Sequence, residues 1–501
     1  LQITFVKAAN GQATCTINGV HIHSSYNPSH EAAQFVDSIS CSFNPKYILI
    51  TGPALSYCAI PLRKRFPDAV LCAVQFISNF SAADHFLWNK VFNLQDSTVP
   101  LSEQIFSYMG DEGIVSCLFL SWQPSEKAFP EEYDDCWREI KKAVLKSRSV
   151  LTTRSFFARR WTRNAIRFCL FTSKTYLPLK GNAPIILCAS GPSLTTSLPF
   201  IEKFQKLCTI MCVSSALAPL VSHNIYPDVC ISTDGGYWAK RHLSFYLNKA
   251  PHCICALTSE SASFASVLQN HPILPLKYDG GPGDTLLDAC AFPTLPASRN
   301  GTVSGTAALL ALHLTSAPVF FCGLDLSPCK GFAHTQPNEL ELSDSQFDNR
   351  FETKETRVAP ATFASASLDI YQSWFNSTDF SDRLYRLSNK WQYQNKLTTV
   401  KDVDWNFFGV TLSNTAEKEK IYFAESKSAA PIEERDSIIK KCITDNILAS
   451  SWTREAVPAE SVIYERCKNT VNEATAAKAV ERAMNSFFHD ILRAFGTGSQ
   501  T

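Results

Sequence analysis

The sequence predicts an α/β chain with parallel sheets, a doubly wound α/β domain at its centre and a helical end. Short apolar and β-branched runs alternate with stretches of helical length, which is the pattern of βαβ units. Several of these runs end in small-residue turns that open directly into a helix, where ligands bind in open parallel sheets. With 45% hydrophobic and 19% charged residues over 501 positions, the chain can fill about three packed cores.

In chain order, His23-Ser24-Ser25-Tyr26-Asn27-Pro28 leads into a helix with Ala32, Ala33, Phe35 and Val36 on its apolar face. Lys46–Thr51, a helix around Ser56–Phe66 and a strand at Ala69–Phe76 make one βαβ unit, and Ile114–Ser121 reads as a further strand. From Pro130 to about Tyr176 the pattern is helical. Its stretch Thr153–Leu170 carries Arg154, Arg159, Arg160, Arg163 and Arg167 among aromatic residues. Such a helix suits either a basic surface for membrane or nucleic acid, or a connector whose arginines pair with carboxylates; the connector is the reading adopted.

The centre is a run of strands: Pro184–Ala189, Cys208–Val213, Asp228–Ser232, His252–Ala256, Ile273–Leu276 and Pro318–Cys322, with helices at about Thr196–Phe204, Ala216–Ser222 and Thr306–Leu314 between them. After about Ser388 the apolar periodicity weakens, and helices are expected at Ile432–Leu448 and Pro458–Phe495, with a frayed end. The expected division is residues 1–150 with connecting helices to about 178, then 179–390, then a helical 391–501.

Composition excludes several classes. Lys plus Arg 47 against Asp plus Glu 46 gives a net charge of +1, which offers no field for a polyanion, so no nucleic-acid partner is expected. No apolar run reaches the length of a membrane span. The 18 cysteines are scattered without a CxxC pair or zinc-ligand spacing, and many sit in apolar runs as small hydrophobes. Reduced thiols in a cytoplasmic protein are therefore expected, and the Leu1-Gln2-Ile3-Thr4 start shows no signal-peptide pattern.

Two loops could hold a phosphorylated ligand. Ser190, Gly191, Pro192, Ser193 and Leu194 form a tight strand-to-helix turn whose N–H groups and helix dipole suit one phosphate; an ordinary helix cap at Ser193 or Thr196 is the alternative. It is neither GxGxxG nor a Walker A loop, since Pro192 removes a donor and Lys-Ser/Thr is missing. Asn300, Gly301, Thr302, Val303, Ser304 and Gly305 form the second turn, whose alternative is a glycine-rich helix start packed on the sheet. Asp234 and Asp325 each end a strand and could hold a ribose hydroxyl, a metal or an acceptor proton, or cap a turn. His334, in the polar loop Ser327–Asn338, is a candidate general base, the alternative being that most loop histidines do nothing of the kind. The turn Tyr278-Asp279-Gly280-Gly281-Pro282-Gly283 is a further cleft candidate.

Ser-Gly-Pro-Ser-Leu at 190–194, Thr233-Asp234, Gly301-Thr302-Val303-Ser304-Gly305, Gly323-Leu324-Asp325-Leu326 and the following His334 together resemble the motility accessory factor (Maf) proteins. These are bacterial flagellin glycosyltransferases. His23–Ile39 and Thr153–Leu170 resemble that family's flanks, and the resemblance spans roughly residues 20 to 390. It implies a Rossmann-like first domain and a central domain similar in fold to bacterial CMP-sialic acid transferases. It further implies transfer of a nonulosonic acid of pseudaminic or legionaminic type from a CMP donor to Ser/Thr hydroxyls of flagellin. By the same analogy Ser190–Leu194, Asn300–Gly305 and Asp325 would hold the CMP, with His334 or Asp234 as the base. In the bacterial sialyltransferases the base histidine stands farther from the corresponding strand end than His334 does here.

No tightly bound cofactor is expected, because a single leaving phosphate can be stabilised by helix amino ends and hydroxyls without a resident metal. The same central domain resembles an archaeal hydroxymethylpterin pyrophosphokinase, which would need Mg²⁺ on a carboxylate pair such as Asp234 with Asp325. A third reading is a non-catalytic flagellin-binding or chaperone-like protein.

Overall fold

The computed structural model describes residues 2–496 except 81–85, 95–98, 180, 328–331, 345, 347–350, 352–365, 388–393 and 414–418. The expected boundary at 390/391 and most of the frayed end lie outside the described residues. The chain forms two compact units, Leu1–Ala158 with Leu448–Thr501, and Arg159–Ile447. This differs from the three expected segments, because residues up to Ile447 supply strands and two helices to the second unit while the tail beyond joins the first.

The first unit opens on an antiparallel sheet of β1 (Ile3–Lys7), β2 (Ala13–Ile17) and β3 (Val20–His21), which apolar periodicity does not announce. Its signal is in the turns: Asn10-Gly11 and Asn18-Gly19 are hairpin pairs, and Gly11, Asn18 and Gly19 all take positive φ. Helix α1 (Pro28–Ser38) starts at Asn27, whose side chain accepts the His30 N–H. Next come β4 (Tyr47–Thr51), α2 (Ala59–Arg65), β5 (Val70–Gln75), β6 (Lys90–Asn93), α3 (Leu101–Val115), β7 (Cys117–Ser121), α4 (Gln123–Ala128) and α5 (Pro130–Phe171). Strands β4 to β7 form a parallel sheet in the order β6-β5-β4-β7, with Ile48, Leu49, Ile50, Leu71 and Val74 fully buried at its centre. His23 is buried against Tyr57 and Trp122, and its Nε2 accepts the Leu55 N–H at 3.1 Å beyond β4. Burial pushes its pKa down to about 4, so it is a neutral structural residue at ordinary pH.

The second unit takes α5 from Arg159 onward, and then β8 (Thr175–Leu179), β9 (Ile185–Cys188), α6 (Leu194–Phe204), β10 (Thr209–Val213), α7 (Ser214–Ser222), β11 (Val229–Ser232), α8 (Tyr237–Tyr246) and β12 (Ile254–Thr258). After these come α9 (Ala265–Asn270), β13 (Ile273–Lys277), α10 (Pro282–Ala289), β14 (Leu295–Pro296), α11 (Val303–Leu314), β15 (Val319–Cys322) and α12 (Glu339–Asp344). It closes with α13 (Ala366–Ser377), β16 (Leu384–Leu387), β17 (Lys401–Val403), α14 (Trp405–Ser413), β18 (Tyr422–Ser426) and α15 (Ile432–Asn446). The strand order is β17-β16-β15-β9-β10-β11-β12-β13-β8-β18, with β14 beside β13. Every pairing is parallel except β18 on β8. Every residue of β9, β10, β11, β12 and β15 is buried, which is why these strands read as continuous apolar runs instead of alternating ones.

Three helices complete the first unit: α16 (Ser450–Ala456), α17 (Pro458–Cys467) and α18 (Glu473–Gly496). The expected single helix Pro458–Phe495 is therefore broken. Asn469 takes a left-handed φ of 59°, and its N–H donates to Glu473 Oε2 at 2.9 Å, so the chain stops one helix and caps the next. The described cysteines are free, and all but Cys41 and Cys467 are buried. Among the described residues no helix is long and apolar enough to cross a membrane.

Candidate functional site

Strand order in the second unit runs outward from β9 in both directions, so a crevice is expected where the turns after β9 and β15 meet. The turns continue the strand pairing beyond the strands: the Ala189 N–H donates to Cys322 O and the Gly191 N–H to Gly323 O, both at 2.9 Å. Glycine is required on both sides. Gly323 has φ 71°, and a Cβ there would fall 2.4 Å from Ala189 O; a Cβ on Gly191 would fall 2.4 Å from Gly323 O. Ser193 occupies the position before α6, yet its hydroxyl does not cap that helix. It donates to Asp325 Oδ1, and the Ser193 N–H donates to Asp325 Oδ2 at 2.9 Å. Asp325 is 3% exposed, so its carboxylate serves as a tie between the two turns. Leu194 is in the core, the Ser190 hydroxyl accepts from Ser215 Oγ at 2.8 Å, and Gly191 and Pro192 remain half-buried.

A third segment completes this end of the sheet. The Thr335 N–H donates to Ser190 O at 2.8 Å, and its hydroxyl donates to Gly191 O at 2.8 Å. This sets His334, about one-third exposed, beside the Ser190 turn. Buried Glu341 holds the loop from beneath: Oε1 accepts the Ala333 N–H at 2.7 Å and lies 3.3 Å from His334 Nδ1, while Oε2 accepts from Gln336 Nε2 at 2.6 Å. With Nδ1–H turned to Glu341, Nε2 is the ring nitrogen left to accept a proton. Below, fully buried Arg386 donates to both oxygens of Asp402 at 2.6 and 2.9 Å, and to the carbonyls of Leu324 and Asn395 at 3.0 and 2.9 Å. It fixes the backbone immediately before Asp325.

The other expected residues stand apart. Asn300 Oδ1 accepts the Thr302 N–H at 3.1 Å, α11 starts one residue later, and Thr302 and Ser304 are half-buried. Gly301 takes a positive φ of 80°, and a Cβ on buried Gly305 would meet Trp374 at 2.7 Å and the Asn300 amide at 2.8 Å. Packing against α13 thus accounts for Gly305. Among the described residues no hydrogen bond joins this turn to Ser190–Leu194. Asp234 is exposed after β11, two strands from β9, where its Oδ1 accepts the Gly236 N–H at 2.8 Å. The structure therefore groups His334 with Ser190–Ser193 and Asp325, and places Asp234 elsewhere along the sheet.

A second polar cluster lies after β12 and β13, at the Tyr278 turn. Arg299 pairs with Glu260 at 2.6 Å and lies 4.4 Å over the Tyr278 ring. Asp284 is 5% exposed; its Oδ1 accepts the Tyr278 N–H at 3.0 Å, and Oδ2 is buried with no hydrogen-bond partner among the described residues. Burial first and the Glu260 carboxylate second push Asp284 up to about 7, with Arg299 pulling the other way. Neither Asp284, Glu260, Glu341 nor Arg386 stands out in sequence, because only the fold brings each to its partners.

Residues 160–331 match the family model described as 6-hydroxymethylpterin diphosphokinase MptE-like. That match bears out the sequence resemblance over the central stretch. Two uncharacterized proteins of Treponema pallidum (strain Nichols) are similar in sequence. One is 29% identical over 308 residues, 60% of this chain and 67% of its own length; the other is 21% identical over 214 residues, 40% and 72%. The solved MAf glycosyltransferase from Magnetospirillum magneticum AMB-1 aligns with a TM-score of 0.47 at 12% identity, covering 98% of this chain and 87% of that one.

Proposed function

We propose that this chain is a glycosyltransferase that moves a nonulosonic acid from a CMP donor to Ser/Thr hydroxyls of flagellin, with the crevice after β9 and β15 as its site. The observation that carries the reading is the seat of His334: a histidine backed by a buried carboxylate and held by Thr335 against the Ser190–Leu194 turn at the amino end of α6. Half-buried Gly191 and Pro192 and the amino end of α6 would face the donor phosphate. His334 Nε2 would take the acceptor hydroxyl's proton as that oxygen bonds to the sugar's anomeric carbon, and the sugar–phosphate bond would break to release CMP. Asp325 and Arg386 would shape the floor of the site without touching the reacting atoms.

A second reading follows from the name of the matched family: pyrophosphate transfer from ATP onto a pterin-like alcohol. Its expected carboxylate pair fares poorly, since Asp325 is tied to Ser193 and Asp234 lies two strands away. Thermal shift with CMP, CTP, ATP and GTP, each with and without Mg²⁺, separates the two. Stabilisation by CMP or CTP without metal supports the glycosyltransferase, whereas a response confined to ATP with Mg²⁺ replaces it with the kinase. In a flagellin transfer assay His334→Ala should abolish turnover while CMP affinity stays within a few fold; normal turnover would remove His334 from the base role.

A further inference from the structure

The sequence pattern predicts that the arginines of α5 pair with carboxylates. Arg154 does, lying 2.8 Å from Asp111 and 3.0 Å from Glu112. Arg167 is different. Among the described residues no carboxylate lies within ion-pair distance of it, and its guanidinium instead sits 5.7 Å from the centre of the Phe171 ring. Lys240, one turn into α8, likewise has no carboxylate within ion-pair distance among the described residues, and its ammonium rests 3.9 Å over the Phe264 ring.

The two cations share one neighbourhood. Beside the segment Glu260–Gln269, Asn164 on α5 donates to Glu260 O at 2.8 Å, and just past the helix the Ser173 N–H donates to Leu268 O at 3.1 Å. Phe264, carrying Lys240, lies midway along that segment, and Arg167 lies on the stretch of α5 between the two contacts. Burial lowers the Lys240 pKa, and the positive charge of Arg167 lowers it further. Both side chains are half-buried and within reach of solvent. Two like charges held together on aromatic faces are costly in the free protein and become favourable once an anion lies between them.

We infer that Arg167, beside Phe171, and Lys240, over Phe264, form a binding site for a small oxyanion, a phosphate or carboxylate group of a ligand, distinct from the Ser190 turn. The site goes beyond the transferase reading and stands whether or not that reading does. The test compares full-length wild type, Lys240→Met and Arg167→Gln by thermal shift in sodium phosphate, in sodium N-acetylneuraminate and in sodium chloride of equal ionic strength. The expected result is a rise in Tm with phosphate or with N-acetylneuraminate over chloride, with affinity for that anion weakened about tenfold or more in either variant, as loss of a charge-assisted contact implies. The responding anion identifies the source as a phosphate or a sugar carboxylate. In chloride alone both variants should match or exceed wild type in Tm. Equal anion responses in all three proteins, no response in any, or a fall of several degrees for both variants in chloride would overturn the site.

Discussion

Replacing Asp284 by Asn should change how the stability of this protein depends on pH, and by a calculable amount. In the folded chain Asp284 holds its proton up to about pH 7, because its carboxyl is 5% exposed and faces Glu260; unfolded, it ionises near 3.9. Between those values the folded state binds one more proton than the unfolded state, so stability falls as pH rises and is level above about 7. The slope is about 1.4 kcal/mol per pH unit, or about 2.7 kcal/mol between pH 5 and 7. For a unit of this size that corresponds to about 5 °C in Tm. An Asn side chain keeps an oxygen for the Tyr278 N–H but sets an amide where Oδ2 has no partner among the described residues, which adds a penalty independent of pH. The decisive quantity is therefore the change in the Tm difference with pH. Differential scanning fluorimetry from pH 5 to 8 at constant ionic strength should show the Asp284→Asn variant gaining on wild type by about 5 °C. Two parallel curves with a fixed offset would refute the raised carboxyl and the burial argument behind it.

Asp325→Ala would leave the Ser193 N–H and hydroxyl buried without their acceptor, costing about 2–4 kcal/mol in chemical unfolding, and on the transferase reading it should also weaken CMP. Gly323→Ala combines a positive φ with a backbone contact of 2.4 Å, so about 2–5 kcal/mol should be lost in the same measurement. Gly409→Ala, where a Cβ meets nothing within 4 Å, should cost nothing of the kind. Arg386→Met should cost about 3 kcal/mol, the lower end for breaking a buried pair, since the Asp402 left behind is 44% exposed on its side chain; denaturant melts would measure it.

Much of the architecture is legible because buried parallel strands advertise themselves. Ile185–Cys188, Thr209–Val213 and Val319–Cys322 are short, apolar and bounded by turns, and each falls within its expected run. What local pattern hides is long-range pairing. β17 is a three-residue, partly exposed edge strand beside β16, and β18 joins the large sheet only through β8, distant in sequence, so the stretch after 390 reads as helical. The opening hairpin escapes for another reason: its first strand is mostly exposed and lacks clean alternation, while its Asn-Gly turns carry the information. At the site, small residues at strand ends are visible in the sequence, but their purpose is not. Gly191 and Gly323 serve each other's backbones, Gly305 serves Trp374, and Asp325 is occupied by Ser193. Sequence marks that a backbone must come close to something; only the fold says to what.

The first unit is written in two pieces, and its ends are bonded to one another. The Asn44 N–H donates to Arg466 O at 3.0 Å, Arg466 lies 4.1 Å over the Phe43 ring, and Arg454 pairs with Glu112 at 2.7 Å. On a ribosome the usual rule is that domains mature from the amino terminus onward. Here the order is inverted: the whole second unit is synthesised while the first still lacks α16, α17 and α18. The unit's earlier residues must wait for its later ones, and until then the apolar surface they will share stays open to chaperones and to neighbouring chains.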